Sequence, residues 1–186
     1  CDDYQGGYIA GKHLLELGHR HFLYLPGPKY NLSQTRRYAG IMDALSEANV
    51  PASNIREIDY HTVFGSSAES TSSYKPYEEL FFPVNYTAVI GFNDLQSYSA
   101  MEILQKKGYR IPEDISLISF DHLRKTHTYL PPLTSIADNS EKSIADTAVS
   151  ILLDKIRNPS SEISSEVLPV SIFDDHTTGP INETFA

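Results

Sequence analysis

The chain has 186 residues, 40% hydrophobic and 21% charged, which is globular composition with enough length for one domain and a substantial core. Its 24 acidic against 15 basic residues give a formal net charge of −9, and no run of Lys or Arg exceeds two, which argues against DNA binding by this segment. The single cysteine, Cys1, excludes an internal disulfide and fits a reducing compartment, and no apolar run approaches the ~20 residues needed to span a bilayer.

Residues 5–17 carry Tyr8, Ile9, Leu14, Leu15 and Leu17 in a helical pattern, with Gly18 as the stop. Phe22-Leu23-Tyr24-Leu25 reads as a short buried strand. Ser33 is a candidate cap for a helix running to about Asn49, with Ile41, Ala44, Leu45 and Ala48 on one face. Ile55 to Tyr60 reads as the next strand. Residues 65–80 are Ser-rich, and Pro76 makes any helix there short, kinked or late. Then come a strand from Ala88 to Phe92, a helix over 95–107 closed by Gly108, and a strand from Ile115 to Phe120. Leu130-Pro131-Pro132-Leu133 fits neither a central strand nor a helix interior and reads as a crossover.

Residues 141–157 form a strongly amphipathic segment. Ile144, Ala148, Leu152 and Ile156 recur every four, flanked by Ala145, Val149 and Leu153, and Asn158-Pro159 ends it. Such a stripe is expected to bury against the body of this domain, a symmetry mate or a swapped partner. A last strand follows at Val167–Ile172. Strands separated by helices predict an α/β fold with a parallel sheet covered on both faces.

Two strands end in polar ligand-type residues, Asn93-Asp94 and Asp121-His122, at the carboxyl ends where open α/β sheets bind ligands. Asp121 is either a ligand-binding carboxylate or a loop cap. Of Asn93 and Asp94, one is a helix cap. Arg37 lies one turn beyond Ser33 on the same face, and its planar fork suits vicinal hydroxyls or a carboxylate. Tyr60 is either an aromatic platform or a packing residue, and Asp138 either lies near ligand or caps the last helix. His13, His19 and His21 lack zinc spacing and read as surface residues. The neighbouring carboxylates Asp2-Asp3, Glu78-Glu79 and Asp174-Asp175 read as solvated, and no G-x-S-x-G, P-loop or G-x-G-x-x-G pattern is present. Nothing in this set points to an enzyme.

The block from Thr87 to Ile136 resembles the effector-binding domain of the LacI/GalR family of bacterial transcription regulators. It runs Thr87-Ala88-Val89-Ile90-Gly91-Phe92-Asn93-Asp94, then Arg110-Ile111-Pro112-Glu113-Asp114-Ile115-Ser116 and Phe120-Asp121, then Pro131-Pro132-Leu133-Thr134. The resemblance extends to the opening Asp2-Asp3-Tyr4-Gln5-Gly6-Gly7, to Leu17-Gly18-His19-Arg20, to Gly27-Pro28 with Ser33, Arg37 and Ala39-Gly40, and to Val167–Ile172 with Thr177-Thr178.

The resemblance implies a three-layer αβα fold with a mainly parallel sheet, of periplasmic-binding-protein-like type I. Residues 1–137 and 162–186 would form the C-terminal lobe, and 138–161 would carry a helix that packs on the N-terminal lobe. The DNA-binding headpiece and most of the N-terminal lobe would lie outside this chain. It further implies sensing of a small effector, a sugar or sugar phosphate, through Ser33, Arg37, Tyr60, Asn93 and Asp121, with Asp94 as the helix cap. No cofactor, metal or membrane is implied. The protein would be a cytoplasmic homodimer, touching operator DNA only through the headpiece. The alternative is a periplasmic-type sugar-binding protein of a transport system, against which the Arg110–Ser116 and Pro131–Thr134 motifs are regulator-like.

Overall fold

Short, mostly apolar runs become strands β1 (Phe22–Leu25), β3 (Ala88–Gly91), β4 (Ser116–Phe120) and β6 (Val170–Phe173), and two more polar segments become β2 (Ile55–Glu57) and β5 (Ser135–Asp138), the last not expected from the sequence. Segments of helical period become α1 (Asp3–Glu16), α2 (Leu32–Glu47), α3 (Asp94–Lys106) and α4 (Ile144–Arg157). These are seen in a computed structural model that describes residues 1–28, 30–58, 77–140, 144–160, 162 and 165–182. Tyr60 and most of the Ser-rich stretch lie outside the described residues.

The six strands form one sheet in the order β2-β1-β3-β4-β5-β6. All neighbours are parallel except β6, which runs antiparallel to β5 from Ser135↔Phe173 to Asp138↔Val170. Alternation along the buried strands separates two cores. Phe22, Tyr24, Ile90, Ile118 and Phe120 meet Leu14 of α1 and Ile41 and Leu45 of α2 on one face. Leu23, Leu25, Val89 and Leu117 meet Ala100 and Leu104 of α3 on the other. The architecture is the three-layer αβα sandwich that the strand–helix alternation predicts.

The closest helix pair is α1 against α2, and glycine makes it so. A Cβ at Gly7 would run into the Arg37 carbonyl, and one at Gly40 into the Tyr4 carbonyl. Because the two backbones touch there, Asp3 at the start of α1 comes within reach of Arg37 on α2. Gly7→Ala is therefore expected to lower stability by about 2 kcal/mol through overpacking. Urea unfolding is the measurement, and an unchanged midpoint would show that the helices part freely.

The C-terminal segment is laced over the sheet by polar groups. Thr177 donates its hydroxyl to Leu117 O (2.7 Å) and accepts from Thr134 N (2.8 Å). His19, expected at the surface, is instead 2% exposed. Its ring nitrogens meet Thr87 Oγ1 and Ser116 Oγ at 2.9 Å and Gly179 O at 3.0 Å. The half-buried His13 meets Thr178 Oγ1 at 2.8 Å. A histidine directly after a helix-ending glycine carries no sequence mark of burial; it is drawn in because Gly18 adopts φ +95° and turns the chain under α1.

Burial pushes the imidazole pKa of both histidines below the ordinary 6.5. The unfolded chain therefore takes up protons first as pH falls, so this stability is complete above 6.5 and is lost below it. The urea midpoint is expected to drop between neutral pH and about pH 5, with a smaller drop in His19→Gln.

Two expectations for α4 need correction. The structure describes the helix from Ile144, and its apolar stripe is not covered by the body of this domain. Ile144, Val149, Leu152, Leu153 and Ile156 are 42–64% exposed, and Thr147 is the buried residue of the helix. Periodicity marks a face that needs a partner without saying which partner. Asp138 does not cap α4 either: it ends β5, where it accepts from Ser140 Oγ at 3.1 Å.

Candidate functional site

Strands β1, β3, β4 and β5 are mutually parallel, so their carboxyl ends share one edge of the sheet. The N-termini of α2 and α3, which follow β1 and β3, lie at that edge, as does the start of α1. Arg37 is its centre. Nε donates to Asp3 Oδ1 at 2.8 Å, Nη1 to Phe92 O at 2.6 Å and Nη2 to Asp121 Oδ1 at 3.4 Å. The guanidinium also lies over two rings, 4.5 Å from the Phe120 centroid and 5.0 Å from that of Phe92. Three anchors and two aromatic contacts leave it little rotamer freedom, so the guanidinium is held in one orientation at the sheet edge.

Beside Arg37 is a cavity of about 200 Å³, lined among others by Asp2, Asp3, Gly6, Asp121 and Asp138. Phe92, whose ring contacts Arg37, also lines a second hollow of about 290 Å³ with Asn31, Asn93, Leu95 and Gln96.

Arg37 and Asp121 thus meet in one cavity, and Asn93 faces the hollow next to it. Ser33 lines neither, and Tyr60 is outside the described residues. Ser33 is not the cap of α2: Asn31 is, accepting from Ser33 N (2.8 Å) and Gln34 N (3.3 Å). The assignment of Asp94 as the α3 cap is also corrected. Asn93 has the extended backbone that capping requires (φ −151°, ψ 168°), and its Oδ1 accepts from Gln96 N at 3.0 Å. Among the described residues its Nδ2 makes no hydrogen bond and remains available in the hollow.

Asp94 has a different task. It is 1% exposed, accepts Leu123 N at 2.6 Å through Oδ2 and accepts the Ser135 hydroxyl at 2.8 Å through Oδ1. Ser135 Oγ in turn accepts His122 N at 2.9 Å, and Asp121 N donates to Ile136 O at 2.9 Å. Three consecutive backbone N–H groups are thereby fixed. The restraint matters because Asp121 and His122 both have positive φ, +96° and +50°. Non-glycine residues in sparsely populated backbone regions cost about 1–3 kcal/mol each, and persist only when the surroundings over-determine them. The Asp94 carboxyl is pushed up from its ordinary pKa by burial, against the hydrogen bonds from Leu123 and Ser135, which pull it down.

Asp3, Phe92 and Phe120 belong to this site and were not singled out as ligand contacts from sequence, whereas Asp138, one of whose two readings placed it near ligand, lines the cavity. Asp3 and Arg37 are 34 positions apart and meet only because Gly7 and Gly40 let two helices touch. The signal that could have found them is that pair of small residues on facing helices.

The sequence profile of the periplasmic binding protein-like domain matches residues 12–178. The HTH-type transcriptional repressor PurR of Escherichia coli is 35% identical over 170 residues, covering 89% of this chain and 47% of the repressor. The chain therefore spans about half the length of the curated relatives it matches. Among solved structures, a LacI family transcriptional regulator from Enterococcus faecium with bound ribose superposes with a TM-score of 0.78 at 27% identity, over 97% of this chain and 64% of that one. A dimeric Lac repressor superposes with a TM-score of 0.76 at 26% identity, over 97% and 63%. With its parallel sheet, its polar strand tips and these relatives, the chain belongs to the family of periplasmic binding protein-like domains and groups with the LacI-type transcriptional regulators.

Proposed function

We propose that this chain is the larger part of an effector-sensing core, in which a sugar or sugar phosphate binds against Arg37 and Asp121 and alters DNA binding by the complete regulator. The carrying observation is the convergence of a preorganised guanidinium and a half-exposed carboxylate at the carboxyl edge of a parallel sheet. Ribose in the Enterococcus faecium regulator supports a sugar-type effector. Residues 1–137 and 162–186 form one lobe on this reading, and α4 within 138–161 lays its exposed stripe on a second lobe. The size of the relatives leaves room for that lobe and for a DNA-binding headpiece. Assembly as a homodimer is supported by the dimeric Lac repressor, and action on operator DNA in the cytoplasm by the repressor relatives.

Effector bound between lobes can shift their relative angle only by its differential affinity for the two arrangements. Ser33, Asn93 and Tyr60 complete the proposed contact set. Thermal-shift screening of sugars on the two-lobe protein, then calorimetry on the hit, is the test. Asp121→Ala is expected to weaken the hit at least tenfold, since a charged acceptor matched to the ligand's hydroxyls is lost. Unchanged affinity would remove Asp121 from the site.

A further inference from the structure

We propose that Gln34 and Gln96 are positioning residues of this site: together they clamp the Pro26–Gly27 peptide, which holds Phe92 and, through it, the Arg37 guanidinium. The inference rests on the effector reading above and deepens it. The peptide leads from β1 towards α2. Its carbonyl, Pro26 O, accepts from Gln96 Nε2 of α3 at 3.0 Å, and its N–H, that of Gly27, donates to Gln34 Oε1 of α2 at 2.7 Å. Both ends of one peptide unit are thus held by side-chain amides from two different helices. Both glutamines are buried. A peptide N–H can only donate and a peptide carbonyl only accept, so the orientation of each amide is fixed.

Packing alone explains neither glutamine. Gln34 Oε1 also accepts the Tyr24 hydroxyl at 2.9 Å, so one oxygen ties β1, the loop and α2 together. Gln96 Oε1 is buried and has no hydrogen-bond partner among the described residues. Methionine would fill similar space without stranding a carbonyl, and the bond to Pro26 O is what the amide adds. The peptide has little else to restrain it. Pro26 has no N–H to tether it, and glycine accepts either sign of φ, so the unit can turn over at little cost. Under the clamp Gly27 keeps a negative φ.

What the clamp sets is the place of Phe92. A Cβ at Gly27 would lie 2.6 Å from three carbons of the Phe92 ring, so the loop backbone rests on that ring. The ring in turn lies 5.0 Å from the Arg37 guanidinium, and the Phe92 carbonyl accepts from Nη1 at 2.6 Å. Gln34 also precedes Arg37 by three residues on α2, so the two share one turn of helix. A peptide turned over would lift the loop from Phe92 and loosen the ring and carbonyl that hold Arg37.

Solvent exchange of the Arg37 Nε–H, followed by heteronuclear NMR on the whole chain and assigned by its absence in Arg37→Lys, tests this without an effector. The Leu117 N–H, bonded to Thr177 O at 2.7 Å, is the internal reference for overall stability. In Gln34→Met and Gln96→Met the Arg37 proton is expected to exchange about tenfold faster relative to Leu117, the factor that one lost hydrogen bond gives. Gln34→Glu, which keeps the accepting oxygen, is expected to restore slow exchange. Gln96→Met breaks a single side-chain bond, so it decides the matter should Gln34→Met fail to fold. Unchanged Arg37 exchange in the methionine variants would overturn the proposal. So would equal acceleration of Arg37 and Leu117, which marks a loss of stability alone. Both overturning outcomes leave ligand contact by Arg37 and Asp121 untouched, and the effector reading then stands or falls on Asp121→Ala.

Discussion

Arg37→Ala is expected to lower the unfolding free energy by roughly 3–5 kcal/mol and to abolish effector binding. The size follows from what is left behind. Asp3 is 15% exposed in its side chain and accepts from Nε of Arg37, so truncation strands a partly buried carboxylate. Phe92 O loses a 2.6 Å charge-assisted bond, and the Phe92 and Phe120 rings lose the group between them. Arg37→Lys keeps the charge but not the planar fork that reaches three acceptors, so an intermediate loss is expected. Adding Asp3→Asn to Arg37→Ala should restore more than about 1 kcal/mol, because it removes the orphaned charge rather than another contact. Urea unfolding of the four proteins measures each quantity. A single-variant cost under about 1 kcal/mol would mean that the Asp3 contact is solvent-screened and that Arg37 is a surface residue.

That cluster shows which parts of the molecule could be read in advance. Five of the six strands were legible, most of them as short apolar runs ended by Gly, Pro or a polar pair; β5 (Ser135–Asp138) was not, because Ser-Ile-Ala-Asp carries no such run. Phe22–Leu25 needed no adjustment, and the lone antiparallel partner, Val170–Phe173, was already part of a mainly parallel sheet. Arg37 and Asp121 were singled out through the family resemblance, and Asp121 also by its place at a strand tip; the structure brings the two into one cavity. The capping roles were not legible. Asn31 rather than Ser33 caps α2, and Asn93 rather than Asp94 caps α3. A cap is defined by an extended backbone at one position, and both candidates in each pair are cap-competent residue types. Composition cannot separate neighbours whose difference is a dihedral angle. His19 and Asp3 failed for another reason: their partners come from distant segments, and a polar residue's burial depends on those partners rather than on its own polarity. For α4 the pattern identified the apolar face, but the partner that would cover it leaves no mark in the pattern.

Asp94→Ala is expected to cost roughly 3 kcal/mol, combining a truncation gap with an unpaired Leu123 N–H and Ser135 hydroxyl. Asp94→Asn should differ little from wild type, and the sign of the pKa shift says why. Burial raises this carboxyl above its ordinary 3.8, so over the window between 3.8 and the folded value the fold holds a proton that the unfolded chain has released. Stability contributed by this group therefore falls as pH rises through that window, and at neutral pH the ionised side chain carries a desolvation penalty. Asparagine escapes the penalty, keeps an oxygen for Leu123 N–H, and offers Nδ2 to a Ser135 hydroxyl free to turn; a change within about 1 kcal/mol is expected. Asp121→Gly acts at the other end of the same device. Glycine adopts φ +96° without a Cβ penalty, so stability should rise by about 1 kcal/mol while the proposed ligand-binding carboxylate is lost. If Asp94 serves to hold Asp121 and His122 in their left-handed backbone, Asp94→Ala should cost clearly less in the Asp121→Gly background than alone, because less strain remains to be restrained. Fully additive costs in denaturant unfolding would mean that the loop keeps its shape without Asp94, and that the buried carboxylate stabilises α3 and β5 alone.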